Sequence, residues 1–294
     1  MNVGVTRREF AALAGTAMLS PTAAAQTGEL ITRAIPGSGE PLPAVGLGTA
    51  YVFDRDDEST GQKAAAVVQA LVAGGGSLID TSSVYDDAET VLGTVIASAQ
   101  LREKLFIATK LESPDAAELK RSQTRLKTEK FDLLQLHNVH DAQQSLEQFR
   151  KWKAQGVCHY IGITSTRHGD FPAVEAILQR EKPDFVQVDY SVDDREAEKR
   201  ILPLAAEVKS AVLTALPFGR GRLFRAVHGK ELPDWAMPFA GSWAQFFLKY
   251  LLGDPRVTAV IPVPPIRRTW PTISAPALVG VGQRRRMAEF VASL

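Results

Sequence analysis

Cysteine is almost absent from this chain of 294 residues, which contains only Cys158. A single thiol cannot form an internal disulfide, so disulfides do not stabilise the fold, and a cysteine-rich zinc site is excluded. Histidine and the carboxylates also lack the paired spacing that holds zinc or iron, so the sequence predicts no metal site. With 45% hydrophobic and 23% charged residues, the chain has the composition of an ordinary globular protein with one sizeable core.

Net charge and long hydrophobic runs are equally scarce. The formal charge is +1 at pH 7, which gives no sign of the basic face that a nucleic-acid partner requires. The apolar run near the N-terminus, residues 11–19, is too short to span a bilayer permanently. We therefore expect no nucleic-acid partner and no stable membrane span.

The first 25 residues differ from the rest of the chain. Arg7 and Arg8 precede Phe10, a short apolar run follows, and the small residues 23–25 are typical of a signal-peptide cleavage site. The paired arginines resemble a twin-arginine signal, which directs folded proteins across the bacterial inner membrane. A frayed amphipathic helix with two solvated arginines is the other interpretation. We predict that residues 1–25 engage the twin-arginine export machinery, and that the protein is periplasmic or otherwise exported from a bacterium.

The remaining residues, 26–294, alternate short apolar runs with segments of helical periodicity. Residues 30–32 and 42–45 flank the turn-rich stretch 36–40, which predicts a β-hairpin. Helices are predicted at residues 62–73, 88–98, 116–126, 142–154, 172–179, 196–208 and 243–252. Eight strand–helix units without a linker or a second composition zone predict one domain, a (β/α)8 TIM barrel with an N-terminal β-hairpin.

Several of the predicted strands end at a single polar residue. Asp80, Lys110, His137 and Thr164 follow one another at intervals of 30, 27 and 27 residues, which is one strand–helix unit each time. Tyr85 follows Asp80 after a short polar turn. Because the carboxyl ends of the strands form the mouth of a (β/α)8 barrel, we expect these side chains to face one pocket.

Asp80, Tyr85, Lys110 and His137 have the chemistry of a proton-delivery site. A free tyrosine has a pKa of about 10 and exchanges protons poorly near neutral pH unless its anion is stabilised. Lys110 could stabilise that anion, Asp80 could keep the ammonium charged, and His137 could orient a substrate oxygen. Taken singly, each residue also has an ordinary structural interpretation, so it is the joint pattern on consecutive strands that favours catalysis.

The same residues resemble the aldo/keto reductase superfamily over residues 31–261. The family signature Asp-Thr-Ala-x-x-Tyr appears here as Asp-Thr-Ser-Ser-Val-Tyr at residues 80–85, its Thr-Lys strand ends at Lys110, and its Asp-Leu-x-x-x-His strand ends at His137. The resemblance implies that Tyr85 is the general acid. It also implies that Lys110 and Asp80 tune this phenol and that His137 orients the carbonyl.

The resemblance further implies a nicotinamide dinucleotide across the barrel mouth, with NADP(H) favoured over NAD(H). The family does not use a Rossmann glycine fingerprint, and the sequence contains none. Thr164 and Ser165 stand where relatives carry a Ser-Asn pair on the nicotinamide amide, and Gln187 matches the other amide-binding residue. The pyrophosphate loop corresponds to Leu216, Phe218, Gly219 and Arg220, where backbone amides and an arginine suit an anion.

Two features depart from the family pattern. Ala215 stands where many relatives place the tyrosine that stacks on the nicotinamide ring. Relatives also continue beyond the last strand into a helix that holds the adenosine and its 2′-phosphate, whereas four prolines between residues 262 and 271 forbid a regular helix here. Arg267 and Arg268 could pair with a phosphate or could form a solvated basic turn, and both interpretations stay open.

Two functions are compatible with these residues. The first is an oxidoreductase that transfers a hydride between a nicotinamide cofactor and the carbonyl of a small aldehyde or ketone, with Tyr85 as the general acid. The alternative is an exported barrel that binds or senses a cofactor or ligand with little or no turnover. The altered amide pair, Ala215 and the proline-rich segment suggest the alternative, whereas the complete set of four proton-handling residues favours the oxidoreductase.

Overall fold

The computed structural model describes residues 30–263 and 279–294. The predicted export signal and the predicted phosphate-binding residues Arg267 and Arg268 lie outside the described residues. None of the described helices is both long and apolar enough to cross a membrane.

Strands and helices alternate along most of the described chain. The strands are β1 (Thr32–Ala34), β2 (Pro41–Pro43), β3 (Leu47–Gly48), β4 (Leu78–Asp80), β5 (Phe106–Leu111), β6 (Phe131–His137), β7 (Cys158–Ser165), β8 (Phe185–Asp189), β9 (Ala211–Ala215) and β10 (Val257–Val260). The α-helices are α1 (Glu58–Ala73), α2 (Ala88–Ser98), α3 (Ala116–Leu126), α4 (Ala142–Ala154), α5 (Phe171–Glu181), α6 (Glu196–Lys199), α7 (Ile201–Glu207), α8 (Arg222–Ala226), α9 (Trp243–Leu252) and α10 (Val281–Ala292). Short 3₁₀ turns lie at Arg102–Lys104, His168–Asp170, Gly219–Gly221 and Asp234–Ala236.

The first two strands form the predicted hairpin. They pair antiparallel, with Arg33 opposite Leu42. Ile35 and Leu42 are almost fully buried and belong to the same apolar cluster as Leu78 and Phe106, the first residues of β4 and β5. Because parallel strands all begin at one end of a barrel, the hairpin covers the amino-terminal end of the barrel.

The other eight strands form a single parallel sheet in the order β3 to β10. The sheet closes on itself where Val45 bridges Val260 in parallel fashion. The backbone N–H of Gly46 donates to the Val260 carbonyl at 2.9 Å, and the N–H of Val260 donates to the Ala44 carbonyl at 2.9 Å. The predicted (β/α)8 barrel with an N-terminal hairpin is therefore confirmed.

Helical periodicity located most of the helices that surround this barrel. Helices α2, α3, α4 and α9 have the predicted bounds. Helix α1 begins earlier than predicted because the Asp57 side chain accepts a hydrogen bond from the Thr60 N–H at 2.7 Å and caps the helix there. The single helix predicted at 196–208 is wrong, since the backbone leaves the helical region at Arg200 and separates α6 from α7. Helices α8 and α10 were not predicted.

The C-terminal helix α10 is fastened to the barrel by the side chain of Arg284. Its guanidinium donates to the Tyr190 hydroxyl at 2.7 Å and to Glu198 at 2.9 Å, and it lies 3.4 Å from the buried carboxylate of Asp254. It also lies over the Tyr250 ring, 4.8 Å from the ring centroid. Since Tyr190 directly follows β8, this arginine links the end of the chain to a barrel strand.

We expect Arg284→Met to lower the free energy of unfolding by about 2 to 4 kcal/mol, because it leaves partly buried acceptors without their cation. Arg285→Met is the matched control. Arg285 is largely exposed, and among the described residues its ion-pair partner is Glu289 of the same helix. The free energy of unfolding should therefore fall by less than about 0.5 kcal/mol. Denaturant unfolding of both variants checks the prediction, and equal losses would contradict it.

Candidate active site

The strand register aligns the predicted site residues at the carboxyl end of the barrel. His137 of β6 pairs with Thr164 of β7, and Thr164 pairs with Gln187 of β8. Lys110 of β5 pairs with Gln135 of β6, one layer deeper than His137. Because parallel strands all end at the same edge of the sheet, residues far apart in the chain share one opening.

A cavity of about 320 Å³ occupies this opening. The predicted residues among its lining are Asp80, Tyr85, Lys110, His137, Thr164, Ser165, Gln187, Leu216 and Arg220. Two members of the predicted cofactor set are not part of the lining: the Phe218 ring packs on Phe224 with centroids 4.7 Å apart, and Gly219 lies beside Asp193. Within residues 30–263 and 279–294, no cluster of three or more His, Cys, Asp or Glu side chains could hold a metal ion.

Lys110 and Asp80 form a buried ion pair at the floor of the cavity. The ammonium lies 2.6 Å from the Asp80 carboxylate, and the two side chains are 2% and 5% exposed. Lys110 also donates to the Thr81 carbonyl at 2.8 Å. Burial opposes a charge on Lys110, but Asp80, followed by Tyr85, raises the pKa of the ammonium above its usual value. The lysine is therefore charged although it is buried.

The Tyr85 ring lies next to this ion pair, with the Lys110 ammonium 5.0 Å from the ring centroid. Burial raises the pKa of the Tyr85 phenol above its usual value, and Lys110 opposes this rise without cancelling it. The phenol is thus protonated near neutral pH and adjacent to a cation that would stabilise its anion. This combination suits a proton donor.

His137 is held in its neutral form on the other side of Tyr85. The two rings meet edge to face, with centroids 5.7 Å apart and planes at 86°. Burial, together with the charges of Lys110 and Arg167, lowers the pKa of His137 to about 4. Its Nδ1 lies 3.3 Å from the Ser82 hydroxyl. A Ser82 hydroxyl that donates to Nδ1 would leave the imidazole proton on Nε2.

Gln187 and two hydroxyls extend the polar wall of the cavity beyond the ion pair, and Gln135 lies behind this wall. Gln135 donates through Nε2 to Gln187 Oε1 at 3.4 Å and to the second Asp80 oxygen at 3.5 Å. The Ser165 hydroxyl donates to Asp170 at 2.7 Å and accepts from the Arg167 N–H at 3.2 Å, which leaves one lone pair to accept a further hydrogen bond. Thr164, between His137 and Gln187 in the register, contributes a second hydroxyl to this wall.

The predicted pyrophosphate loop follows β9 and has an unusual backbone. Leu216, Gly219, Arg220 and Gly221 all have positive φ, of 53°, 56°, 53° and 81°. The Gly219 N–H donates to the Leu216 carbonyl at 2.8 Å and the Gly221 N–H donates to the Phe218 carbonyl at 3.0 Å. These two amides are therefore paired within the loop, and an anion would have to use other N–H groups of the turn. Gly219 must be glycine because a Cβ there would lie 2.7 Å from a carboxylate oxygen of Asp193.

Both arginines of this loop region already face carboxylates. Arg220 lies 3.6 Å from Asp189 at the end of β8, and Arg222 lies 3.0 Å from Asp193. Burial, and then the negative charge of Asp194, raises the pKa of Asp189 to about 6 despite Arg220. An anion bound at this loop would share Arg220 with Asp189.

The turn that carries Tyr85 is braced by a buried carboxylate. Glu118 accepts a hydrogen bond from the Ser83 hydroxyl at 2.7 Å and another from the Ser113 N–H at 2.8 Å. The Arg125 guanidinium donates to the Ser83 carbonyl at 3.0 Å. Since Ser113 follows β5, Glu118 ties the Tyr85 turn to the strand that carries Lys110.

Sequence reasoning missed several residues of the site. Gln135 precedes His137 by two positions, and the alternation of a strand would have placed both on the inner face of the barrel. Asp189 ends β8 two residues after Gln187, so the same alternation would have identified it. Glu118, which acts on the turn from a neighbouring helix, has no such signal.

Known proteins of similar sequence are oxidoreductases. The chain is 30% identical over 193 residues to the methylglyoxal reductase YeaE of Escherichia coli, a match that covers 62% of this chain and 66% of YeaE. It is 28% identical over 182 residues to the uncharacterised oxidoreductase YqkF of Bacillus subtilis, covering 55% of this chain and 58% of YqkF. The matches thus span about three fifths to two thirds of these relatives.

The fold is similar to that of solved aldo/keto reductases. A crystal structure of an aldo/keto reductase from Klebsiella pneumoniae in complex with NADPH superposes with a TM-score of 0.76 at 23% identity, over 90% of this chain and 95% of that one. The sequence model of the aldo/keto reductase family matches residues 44–264, from the first barrel strand to just beyond the last. The chain belongs to the aldo/keto reductase family.

Proposed function

We propose that this protein is an oxidoreductase that uses a nicotinamide cofactor, NADP(H) in preference to NAD(H), to reduce the carbonyl of a small aldehyde or ketone. The observation that carries the proposal is the buried Lys110–Asp80 pair, 2.6 Å apart, beside the protonated phenol of Tyr85. Family membership and the NADPH complex of the Klebsiella pneumoniae relative support the choice of cofactor.

The polar wall of the cavity fits the amide end of a nicotinamide. Gln187 accepts from Gln135 through Oε1, which leaves its NH₂ group for a ligand carbonyl, and Ser165 presents acceptor capacity to a ligand N–H. Arg220 lies at the same opening and could pair with a phosphate. When bound, the cofactor supplies the hydride that reduces the carbonyl carbon.

Tyr85 completes the reduction by giving its proton to the carbonyl oxygen. The phenolate that forms is stabilised by Lys110, whose charge is in turn maintained by Asp80. This arrangement acts mainly in the transition state, when charge develops on the phenol oxygen. The buried ion pair therefore lowers the barrier more than it strengthens substrate binding.

His137 orients the carbonyl by donating a hydrogen bond. A neutral imidazole donates from one nitrogen only, and that nitrogen is Nε2 when the Ser82 hydroxyl, 3.3 Å away, donates to Nδ1. With its pKa lowered to about 4, His137 stays neutral across the physiological range. It therefore cannot replace Tyr85 as the acid at neutral pH, and the two residues have separate roles.

Titration with NADPH and with NADH, followed by cofactor consumption in the presence of methylglyoxal and other small aldehydes, tests the proposed reaction. Binding of NADPH quenches or shifts protein fluorescence, and oxidation removes its absorbance. We expect tighter binding of NADPH than of NADH and aldehyde-dependent oxidation of NADPH. Tight binding with no consumption across the panel would favour the alternative, a barrel that binds cofactor without turnover.

Tyr85→Phe should retain the fold and the NADPH affinity but lose turnover by about 10²- to 10⁴-fold, because only the transferable proton is removed. Tyr51→Phe makes the same chemical change at another phenol of the cavity lining and should leave turnover close to its original value. Steady-state rates and NADPH titration of both variants are the measurements. An equal effect of the two substitutions would refute the role assigned to Tyr85.

We also propose that the N-terminal residues 1–25 direct export through the twin-arginine route, so that the barrel works in the periplasm or outside the cell. The proposal rests on Arg7, Arg8, the short apolar run and the small residues that follow it. The route accepts folded proteins, so the barrel could be loaded with cofactor before export.

Fusion of residues 1–30 to a reporter that folds before transport tests the export proposal. We expect the reporter in the periplasmic fraction of a bacterium with a twin-arginine system, and loss of that fraction when Arg7 and Arg8 are both changed to lysine. Retention of the unchanged fusion in the cytoplasm would contradict the proposal.

A further inference from the structure

Gln135 is a polar side chain in the same layer of the barrel as Lys110, its register partner on β5. It is fully buried, and it does not belong to the lining of the cavity. Leu133, two residues earlier on the same face of β6, belongs to the apolar cluster inside the barrel, whereas His137, two residues later, lies at the mouth. Gln135 thus separates the packed interior from the site without touching a ligand.

Both N–H groups of the Gln135 side-chain amide face residues of the site. Its Nε2 lies 3.5 Å from Asp80 Oδ1 and 3.4 Å from Gln187 Oε1, and a primary amide has two N–H groups to give. If the Gln135 amide were flipped, its oxygen would face the oxygens of Asp80 and Gln187, and three acceptors would meet without a donor. These two neighbours therefore select the orientation in which Nε2 faces them. One side chain therefore contacts the proton-handling residues and the predicted cofactor-binding residue together.

The acceptor end of the same amide is unpaired. Gln135 Oε1 is buried and has no hydrogen-bond partner within the described residues. A buried acceptor without a partner is unfavourable for folding. The N–H groups of Gln135 offset that cost, because they give the buried oxygens of Asp80 and Gln187 a donor.

We propose that Gln135 is a positioning residue, which fixes the Gln187 amide so that its NH₂ group faces the cofactor and which holds the Asp80 carboxylate in line with Lys110. The proposal rests on the proposed function, because it assumes that Gln187 binds the nicotinamide amide. The Gln135 amide donates to the side-chain oxygen of Gln187. It also donates to Asp80 Oδ1, whereas Lys110 donates to Asp80 Oδ2. Without Gln135, the Gln187 amide could rotate and present either end to the ligand.

Gln135→Met tests the proposal, because methionine retains the length of the side chain and removes both ends of the amide. We expect the NADPH dissociation constant, measured by fluorescence titration, to rise roughly 2- to 10-fold, as for the loss of one hydrogen bond. The thermal midpoint should fall modestly, because the buried Asp80 and Gln187 oxygens lose a donor. Leu133→Met, on the same face one layer deeper, controls for repacking of the interior and should leave NADPH affinity unchanged.

A double-mutant cycle with Gln187→Met separates positioning from packing. If Gln135 acts through Gln187, adding Gln135→Met to Gln187→Met should weaken NADPH binding no further.

Full additivity, or unchanged affinity in Gln135→Met alone, would overturn the proposal while the proposed reaction stands. Failure of both Gln135→Met and Gln135→Leu to fold would also overturn it, since the role would then be structural. Failure of the unchanged protein to bind either nicotinamide cofactor would instead refute the proposed function, and the positioning role with it.

Discussion

The buried ion pair between Lys110 and Asp80 is the interaction on which the rest of the site depends. Removing an ammonium and a carboxylate from water costs several kcal/mol for each ion, so the pair is tolerable only with good geometry and further hydrogen bonds. The neighbours supply these bonds: Thr81 accepts from the ammonium at 2.8 Å, and Gln135 lies near the free carboxylate oxygen. The register of β4, β5 and β6 brings these groups together, so the ion pair depends on the pairing of three neighbouring strands.

The two halves of the opening differ in how their charges are compensated. Around Tyr85, the buried Lys110 ammonium is paired with the buried Asp80 carboxylate. The Tyr85 phenol is the neighbouring group that can exchange a proton. Around the loop at residues 216–221, the arginines are exposed and already face Asp189 and Asp193. An anionic ligand there gains less from Arg220 than it would from an unpaired arginine, because the carboxylate of Asp189 competes for the same cation. Affinity must therefore come substantially from the amide end of the ligand and from the loop backbone.

Most of the fold could be predicted because its signals are local and repeated. Helical periodicity located four helices to the residue, and the 27- to 30-residue spacing of polar strand ends indicated the barrel. What could not be predicted depends on contacts between distant parts of the chain. Helix α10 is held by Arg284 through Tyr190, 94 residues earlier, and this contact has no signal within its own segment. The break at Arg200 is different: Pro203 lacks the N–H that a continuous helix would donate to the Lys199 carbonyl, so its signal was present in the sequence.

The same distinction explains which site residues the sequence identified. Asp80, Lys110 and His137 each end an apolar run, and a polar residue at a strand end is conspicuous. Gln135 lies within such a run, and the partners that give it meaning are 55 and 52 residues away in the chain. Its two N–H groups connect the carboxylate that keeps Lys110 charged with the amide that faces the predicted cofactor. Under the proposed function, proton delivery and cofactor orientation would be coupled through this one side chain, which does not line the cavity.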